Sequence, residues 1–161
     1  MAVDYFLKLD GIPGESTDAK HKDEIDVLAF SWGVSHPKAS GPGGGGAGKA
    51  VFEDLLVVAH TSKASPKLWL ACASGQHIKE ATITVRKAGS DKGQEDYLVL
   101  TMTDVLVSSF QASGSSGSDR PTESVSMAFA KVEFTYKPQK ETGGTSGDIR
   151  VGWDLKKNAK I

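Results

Sequence analysis

The sequence predicts a mainly β protein whose sheet curls into a barrel, with one short α-helix beside it. Three features predict it. Apolar residues recur with period two along most of the 161 residues, the mark of half-buried strands. Only one stretch combines helical spacing with a start and a stop signal. Two long strand patterns each change phase once, as strands do where a bulge bends a closing sheet.

Taken in order, Val3, Tyr5, Leu7 and Leu9 alternate with smaller or polar neighbours before Gly11-Ile12-Pro13-Gly14 turns the chain, which gives a first strand. From Glu24 to Val34 the even positions carry Leu28, Phe30, Trp32 and Val34, and the odd positions Ile25, Val27, Ala29, Ser31 and Gly33. That reads as one strand with a large face and a small face. Residues 35–50 are rich in Gly, Ala, Ser and Pro and read as a long loop. Val51, Val57 and Val58 favour a strand over a helix for 53–60. The helix falls at 63–74: Ser62 and Ser65 are N-cap candidates, Pro66 suits the first turn, Leu68, Ala71 and Cys72 share a face that Trp69 and Leu70 broaden, and Gly75 caps the end. Such a face plugs or flanks the barrel.

Residues 81–86 and 97–110 are strands joined through Gly89-Ser90-Asp91-Lys92-Gly93, a hairpin connection. The second shifts phase between Met102 and Val105, and the next strand, from Val125 to Tyr136, shifts between Phe129 and Val132. Residues 113–121 and 137–148 are polar, Gly-bearing loops, and 149–155 is a last strand before the basic tail of Lys156, Lys157 and Lys160. The length fits a single domain over 1–161.

Composition excludes several functions. Nineteen Lys and Arg against twenty Asp and Glu supply no excess positive charge to release counterions from nucleic acid, and no apolar run approaches the roughly 20 residues of a membrane helix. No signal peptide is visible at the start, so the expected site of synthesis and residence is the cytoplasm. A lone cysteine, Cys72, closes no intrachain disulfide and, on the apolar stripe of the helix, reads as a small buried hydrophobe.

The motifs carry little chemistry. Gly43 to Lys49 matches the phosphate-cradling G-x-x-x-x-G-K, but Ala50 stands where a Ser or Thr would hold magnesium, and no helix pattern follows. His21, His36, His60 and His77 share no metal-ligand spacing. The serines from Ser108 to Ser118 lack a nucleophile elbow, and Glu15, Asp18, Asp23, Glu24 and Asp26 fit a solvated turn as well as an acid/base group. No catalytic residue, metal or cofactor is expected. What stands out is small-residue rows, Ala29, Ser31, Gly33 and Ser124, Ser126, Ala128, that would line a smooth surface instead of gripping a ligand.

The chain resembles the haemolysin-coregulated protein (Hcp) family, the tube protein of bacterial type VI secretion. The resemblance runs through Gly14-Glu15-Ser16, His21, Glu24-Ile25, Phe30-Ser31-Trp32-Gly33, Ser65-Pro66-Lys67-Leu68, Ala71-Cys72-Ala73-Ser74-Gly75, Ala81 to Gly89, Val105 to Ser109, Tyr136 to Gln139 and Gly152-Trp153-Asp154. It implies a two-sheet β-barrel with one helix, protomers in a hexameric ring, and rings stacked into a tube. The implied partners are the contractile sheath, the tip spike protein and effector proteins carried in the lumen. The machine itself would then export the protein without a signal peptide.

On this reading Ala29, Ser31, Gly33, Ser124, Ser126 and Ala128 face the pore or the subunit border, and Lys38, Gly41, Gly44, Gly46, Gly48 and Lys49 belong to a loop that bridges stacked rings. Two other classes stay open: a monomeric β-sandwich binding module, and a nucleotide-hydrolysing enzyme resting on Gly43, Gly48 and Lys49.

Overall fold

The computed structural model describes residues 3–38, 48–87, 95–138 and 147–161. In chain order the elements are β1 (Val3–Leu9), β2 (Ile25–Val27), β3 (Ala29–Ser31), β4 (Val34–Ser35), β5 (Val51–Phe52), β6 (Leu55–His60), α1 (Ser65–Ser74), β7 (His77–Lys87), β8 (Asp96–Ser113), β9 (Thr122–Tyr136), β10 (Ile149–Asp154) and β11 (Ala159–Lys160). The main sheet runs β11-β10-β9-β8-β7-β1-β2, with β6 on β9 and β3 on β6; β4 and β5 form a separate ribbon. β9 is long enough to carry β6 along Thr122–Met127 and β10 along Lys131–Tyr136, so the sheet divides into two lobes at its middle.

The barrel expected from the sequence is not closed. The single strand expected over 24–34 is three short ones, with β2 on β1 and β3 on β6, and β2 and β3 continue each other end to end through Leu28 instead of pairing side by side. The reason is a change of face. Ile25 and Val27 are buried, then Leu28 and Ala29 are both exposed, and Phe30 and Trp32 turn back to the core. The large and small faces read from alternation therefore swap at Leu28.

The same slip runs across the sheet. Ile78 lies opposite Val105 and Ala81 opposite Met102, while Val105 lies opposite Phe129 and Met102 opposite Val132. Each strand changes phase at the same level, so no residue is extra and the register is kept. This is a shared crease, not the bulge expected at 102–105. Asp104 takes the crease with φ 55°, a left-handed conformation that short polar side chains tolerate best. One-residue shifts do occur elsewhere, between Val107 and Ser109 where β8 meets β9 and between Val85 and Arg86 where β7 meets β8. The expected hairpin turn at 89–93 lies outside the described residues.

α1 flanks β8 and plugs nothing. Leu68 and Ala71 are buried and Cys72 is half-buried, whereas Trp69 and Leu70 are 59% and 55% exposed. Neither serine caps it: the N-cap is Ala64, Ser65 is already the first helical residue, and its hydroxyl turns instead to the buried Glu123. Pro66 and the left-handed Gly75 (φ 69°) are placed as the sequence suggests. The core gathers Leu7, Leu55, Val57, Ile83, Leu100, Met102, Val105, Val107 and Met127, each at most 2% exposed; each such side chain is worth about 1.5–3 kcal/mol in burial.

Candidate assembly surface

Pairing brings the two small-residue rows together. Ala29 lies opposite Val58, which lies opposite Ser124; Ser31 lies opposite Leu56, which lies opposite Ser126. Ser126 in turn faces Ser109, Ser124 faces Gln111, and Ala128 faces Leu106. Because opposed residues share a face, these side chains tile the outer side of one lobe, and the tiles include no Asp, Glu, Lys or Arg. Gly33 stands apart, near Glu53, whose backbone N–H donates to the Gly33 carbonyl at 2.9 Å.

Of the loop candidates, Lys38, Gly48 and Lys49 sit at the stem, while Gly41, Gly44 and Gly46 lie outside the described residues. The β4–β5 ribbon pairs Val34 with Phe52 and Ser35 with Val51, so the long loop is held at its base by paired strands. A Cβ on Gly48 would meet the Pro37 carbonyl oxygen at 2.7 Å, which shows how closely the two arms approach. Lys49 runs into β5 and not into a helix, so the stem offers no helix N-terminus to a phosphate. Lys49 and Ala128 also line a shallow cleft of about 400 Å³ with His77 and Lys156. Asp104 bridges these two side chains, at 2.6 Å from His77 Nδ1 and 3.3 Å from Lys156 Nζ, and the bond from His77 leads in holding its carboxyl below the usual range.

Sequence reasoning missed an apolar groove. Ile149, Val151 and Trp153 lie opposite Tyr136, Phe134 and Val132, so β10 extends the core face of the sheet beyond its cover. Trp32, Val34, Phe52, Phe134, Val151 and Trp153 are among the residues around a groove of about 410 Å³, with Lys160 at its rim. Val34, Ile149 and Val151 are 57%, 59% and 57% exposed, and Ile161, 62% exposed, donates its N–H to the Gly152 carbonyl beside them. The alternation of Val151 and Trp153 signalled a strand, but nothing local told that its apolar side lacks a roof.

A polar network on the other lobe was also missed, because its carboxylates read as a solvated turn. The segment from Gly14 to Glu24 folds over β1 and β7, with Gly14 N–H donating to Asp23 O at 2.8 Å and Ser16 N–H to Glu24 O at 3.0 Å. It lays His21 flat on Phe6, ring centroids 4.4 Å apart, with Arg86 also over the Phe6 ring at 4.9 Å. Arg86, 2% exposed, donates to both oxygens of Asp18 at 2.9 and 2.5 Å and reaches Asp4 at 3.4 Å. His21 meets Glu24 through Nδ1 at 2.8 Å and Asp96 through Nε2 at 3.1 Å. Asp4, Asp18 and Asp26 line one pocket of about 320 Å³ with Arg86, and Asp26 also feels the charge of Arg120.

Among the described residues, no group of three or more His, Cys, Asp or Glu is arranged to hold a metal ion, and no helix is long and apolar enough to cross a membrane. The described surface is a creased β-sheet with one face of small and uncharged side chains, bordered by Asp54, to which the Ser108 hydroxyl donates at 2.6 Å, and one uncovered apolar groove.

Comparison with known proteins gives the chain a family. Residues 6–136 match the model described as "Type VI secretion system effector, Hcp". The chain is 45% identical over 162 aligned positions to Protein hcp1 of Pseudomonas aeruginosa, covering 99% of each. It superposes on a solved type six secretion system protein with a TM-score of 0.91 at 38% identity, covering 99% of this chain and 100% of the other. On Hcp1 from Salmonella typhimurium the TM-score is 0.81 at 40% identity, with 100% of both chains covered. The chain belongs to the Hcp family of type VI secretion proteins.

Proposed function

We propose that this chain is a structural tube component of a type VI secretion system, working as a non-enzymatic hexameric ring. Rings stack into a tube inside the contractile sheath, behind the tip spike, and small effector proteins travel in the lumen. The protein waits in the cytoplasm and leaves through the machine. One observation carries the self-assembly: Val34 and Val151 stand in water around a groove that continues the protein's own core face, the kind of patch a chain keeps for a partner.

The uncharged tiling around Ser31 and Ser126 is the lumen or subunit-border surface. It has few anchors to hold cargo tightly, which suits a wall that cargo must slide past. The β4–β5 ribbon carries the loop that touches the next ring.

Native mass measurement over a range of concentrations, followed by negative-stain imaging, tests the ring. Hexamers with an open centre are expected; a single-protomer mass at high concentration would favour a monomeric binding module. Ser31→Arg places a long cation in the middle of the tiled face and is expected to impair ring formation or cargo retention. Normal rings that retain cargo normally would remove the lumen assignment.

A further inference from the structure

One buried carboxylate takes no part in the surfaces above. Glu123 falls on the core side of β9, in line with Val125 and Met127, and is 3% exposed. It lies opposite Ala59 on β6 and Ala112 on β8, so neither residue paired with it brings a polar side chain. The lead into α1 supplies what there is. The Ser65 hydroxyl donates to Oε1 at 2.8 Å, and the Thr61 hydroxyl acts on the carboxylate from just past β6. Oε2 has no hydrogen-bond partner among the described residues.

No cation balances this group. Lys63 in the lead, Lys67 on α1 and Arg120 ahead of β9 are exposed, and the Lys63 N–H donates to the exposed Glu15 at 3.2 Å. His60 follows Ala59 and so falls on the opposite face of β6. Burial and the two hydroxyls act on Glu123, and burial leads in favouring its neutral form. The hydroxyl that meets it also organises the lead: Ser65 Oγ accepts the Ser62 N–H at 2.9 Å, and Ser62 Oγ accepts the Ala64 N–H at 3.2 Å. The bond to Glu123 therefore joins a self-contained turn to the sheet.

We propose that Glu123 and Ser65 form a proton-controlled latch on the first turn of α1, closed when the carboxyl is neutral and loosened when it ionises. A neutral carboxyl still accepts from Ser65 and leaves no charge inside. An ionised one gains by reaching water. Strand β9 is held on both sides by β6 and β8, so the short way out is to lift residues 62–65. The closed form binds the proton more tightly than the open one, so it is most stable at low pH and opens as pH rises. Lifting the turn uncovers Ala64, 0% exposed, and frees the helix end that precedes the exposed Trp69 and Leu70. The latch works within one protomer and does not depend on the ring.

Hydrogen exchange on the full chain from pH 4 to pH 8, divided by the intrinsic base-catalysed rate, tests it. Protection at the Ser65 and Leu68 amides is expected to fall about fivefold or more across this range. It should stay below that of Ile83 in β7 throughout, because the opening is local. Glu123→Gln keeps an acceptor for Ser65 and is expected to hold protection constant within about twofold. Ser65→Ala is expected to lower protection about fivefold at pH 4 and to keep the fall with pH. Protection in the parent that does not change with pH, or that equals that of Ile83, would overturn the latch. So would a folded Glu123→Gln variant with the parent's pH trend, which would move the titration to another group such as His60, or a Ser65→Ala variant that protects like the parent.

Discussion

Two carboxylates, the half-buried Asp18 and the buried Glu123, set opposite pH behaviour at the scale of single residues. Asp18 is held far below its ordinary value of 3.8, chiefly by the hydrogen bonds from Arg86. Its folded state therefore releases the proton more readily than the unfolded chain, so this stabilisation is complete above the ordinary value and is lost as pH falls toward the depressed one. Asp18→Asn leaves the Arg86 charge buried without its main partner, and the expected cost at neutral pH is about 3 kcal/mol. Urea unfolding at pH 7, pH 4 and about pH 2.5 checks it: the loss should be nearly as large at pH 4 as at pH 7 and clearly smaller at about pH 2.5. Glu123 runs the other way. It is 3% exposed, accepts from the Ser65 hydroxyl at 2.8 Å, and has an Oε2 without a hydrogen-bond partner among the described residues. Desolvation leads in raising its pKa above the ordinary 4.5, so the folded state holds the proton more tightly and stability declines as pH rises through the raised value. Glu123→Gln keeps an acceptor for Ser65 and removes the charge. It is expected to stabilise the chain by about 1 kcal/mol at pH 7 and to make no gain at pH 4, as read in the same unfolding series.

Elements differ in how far local pattern reveals them. Period-two runs located β1, β7, β8, β9 and β10 because each buries one side along most of its length, the valines at 51, 57 and 58 decided β6 where periodicity was ambiguous, and Pro66 with Gly75 marked the ends of α1. The crease was visible as phase changes at Met102/Val105 and Phe129/Val132 but was misread as a bulge. A phase change looks the same whether or not the neighbouring strand shares it, and only pairing tells the two apart. The splitting of residues 24–34 has the same origin, since alternation carries on past Leu28 in the sequence while the backbone changes face. In the candidate site, the two small-residue rows were legible, yet their meeting through Leu56 and Val58 depends on β6 lying between them. The groove was not legible at all, because an apolar stripe looks alike with and without a roof. The segment between β1 and β2 shows how tightly one element is specified: a Cβ on Gly14 would stand 2.5 Å from Glu24 O and 2.7 Å from Ile25 Cα. Both are backbone atoms, so the clash is relieved only by moving the start of β2. Gly14→Ala is expected to cost about 1–3 kcal/mol and to loosen His21 from Phe6. A thermal melt gives the first, and hydrogen exchange at the Ser16 and Asp23 amides the second; unchanged protection there would refute the close packing.

For the whole molecule, the proposed function places ring formation and ring stacking on separate surfaces, which makes them independent in principle. The groove lies on the core side of β9 and β10, the tiled face is the outer side of the β3-β6-β9 lobe, and the long loop leaves through the β4–β5 ribbon. Residues 35 and 51 are paired, and the arms still nearly touch at Pro37 and Gly48. A deletion from Gly41 to Ala47 therefore spares the whole stem, and a shorter connection across an already closed base carries little added entropic cost. Removing Gly48 as well would disturb the approach to Pro37 and confuse the result. The expected outcome for the 41–47 deletion is unchanged melting temperature and unchanged ring mass, with tubes in concentrated samples much shortened or absent. Length distributions measured by electron microscopy decide it. Tubes as long as those of the parent would mean that rings stack through flat faces alone, and the glycine-rich loop would lose its assigned role while the ring kept its own.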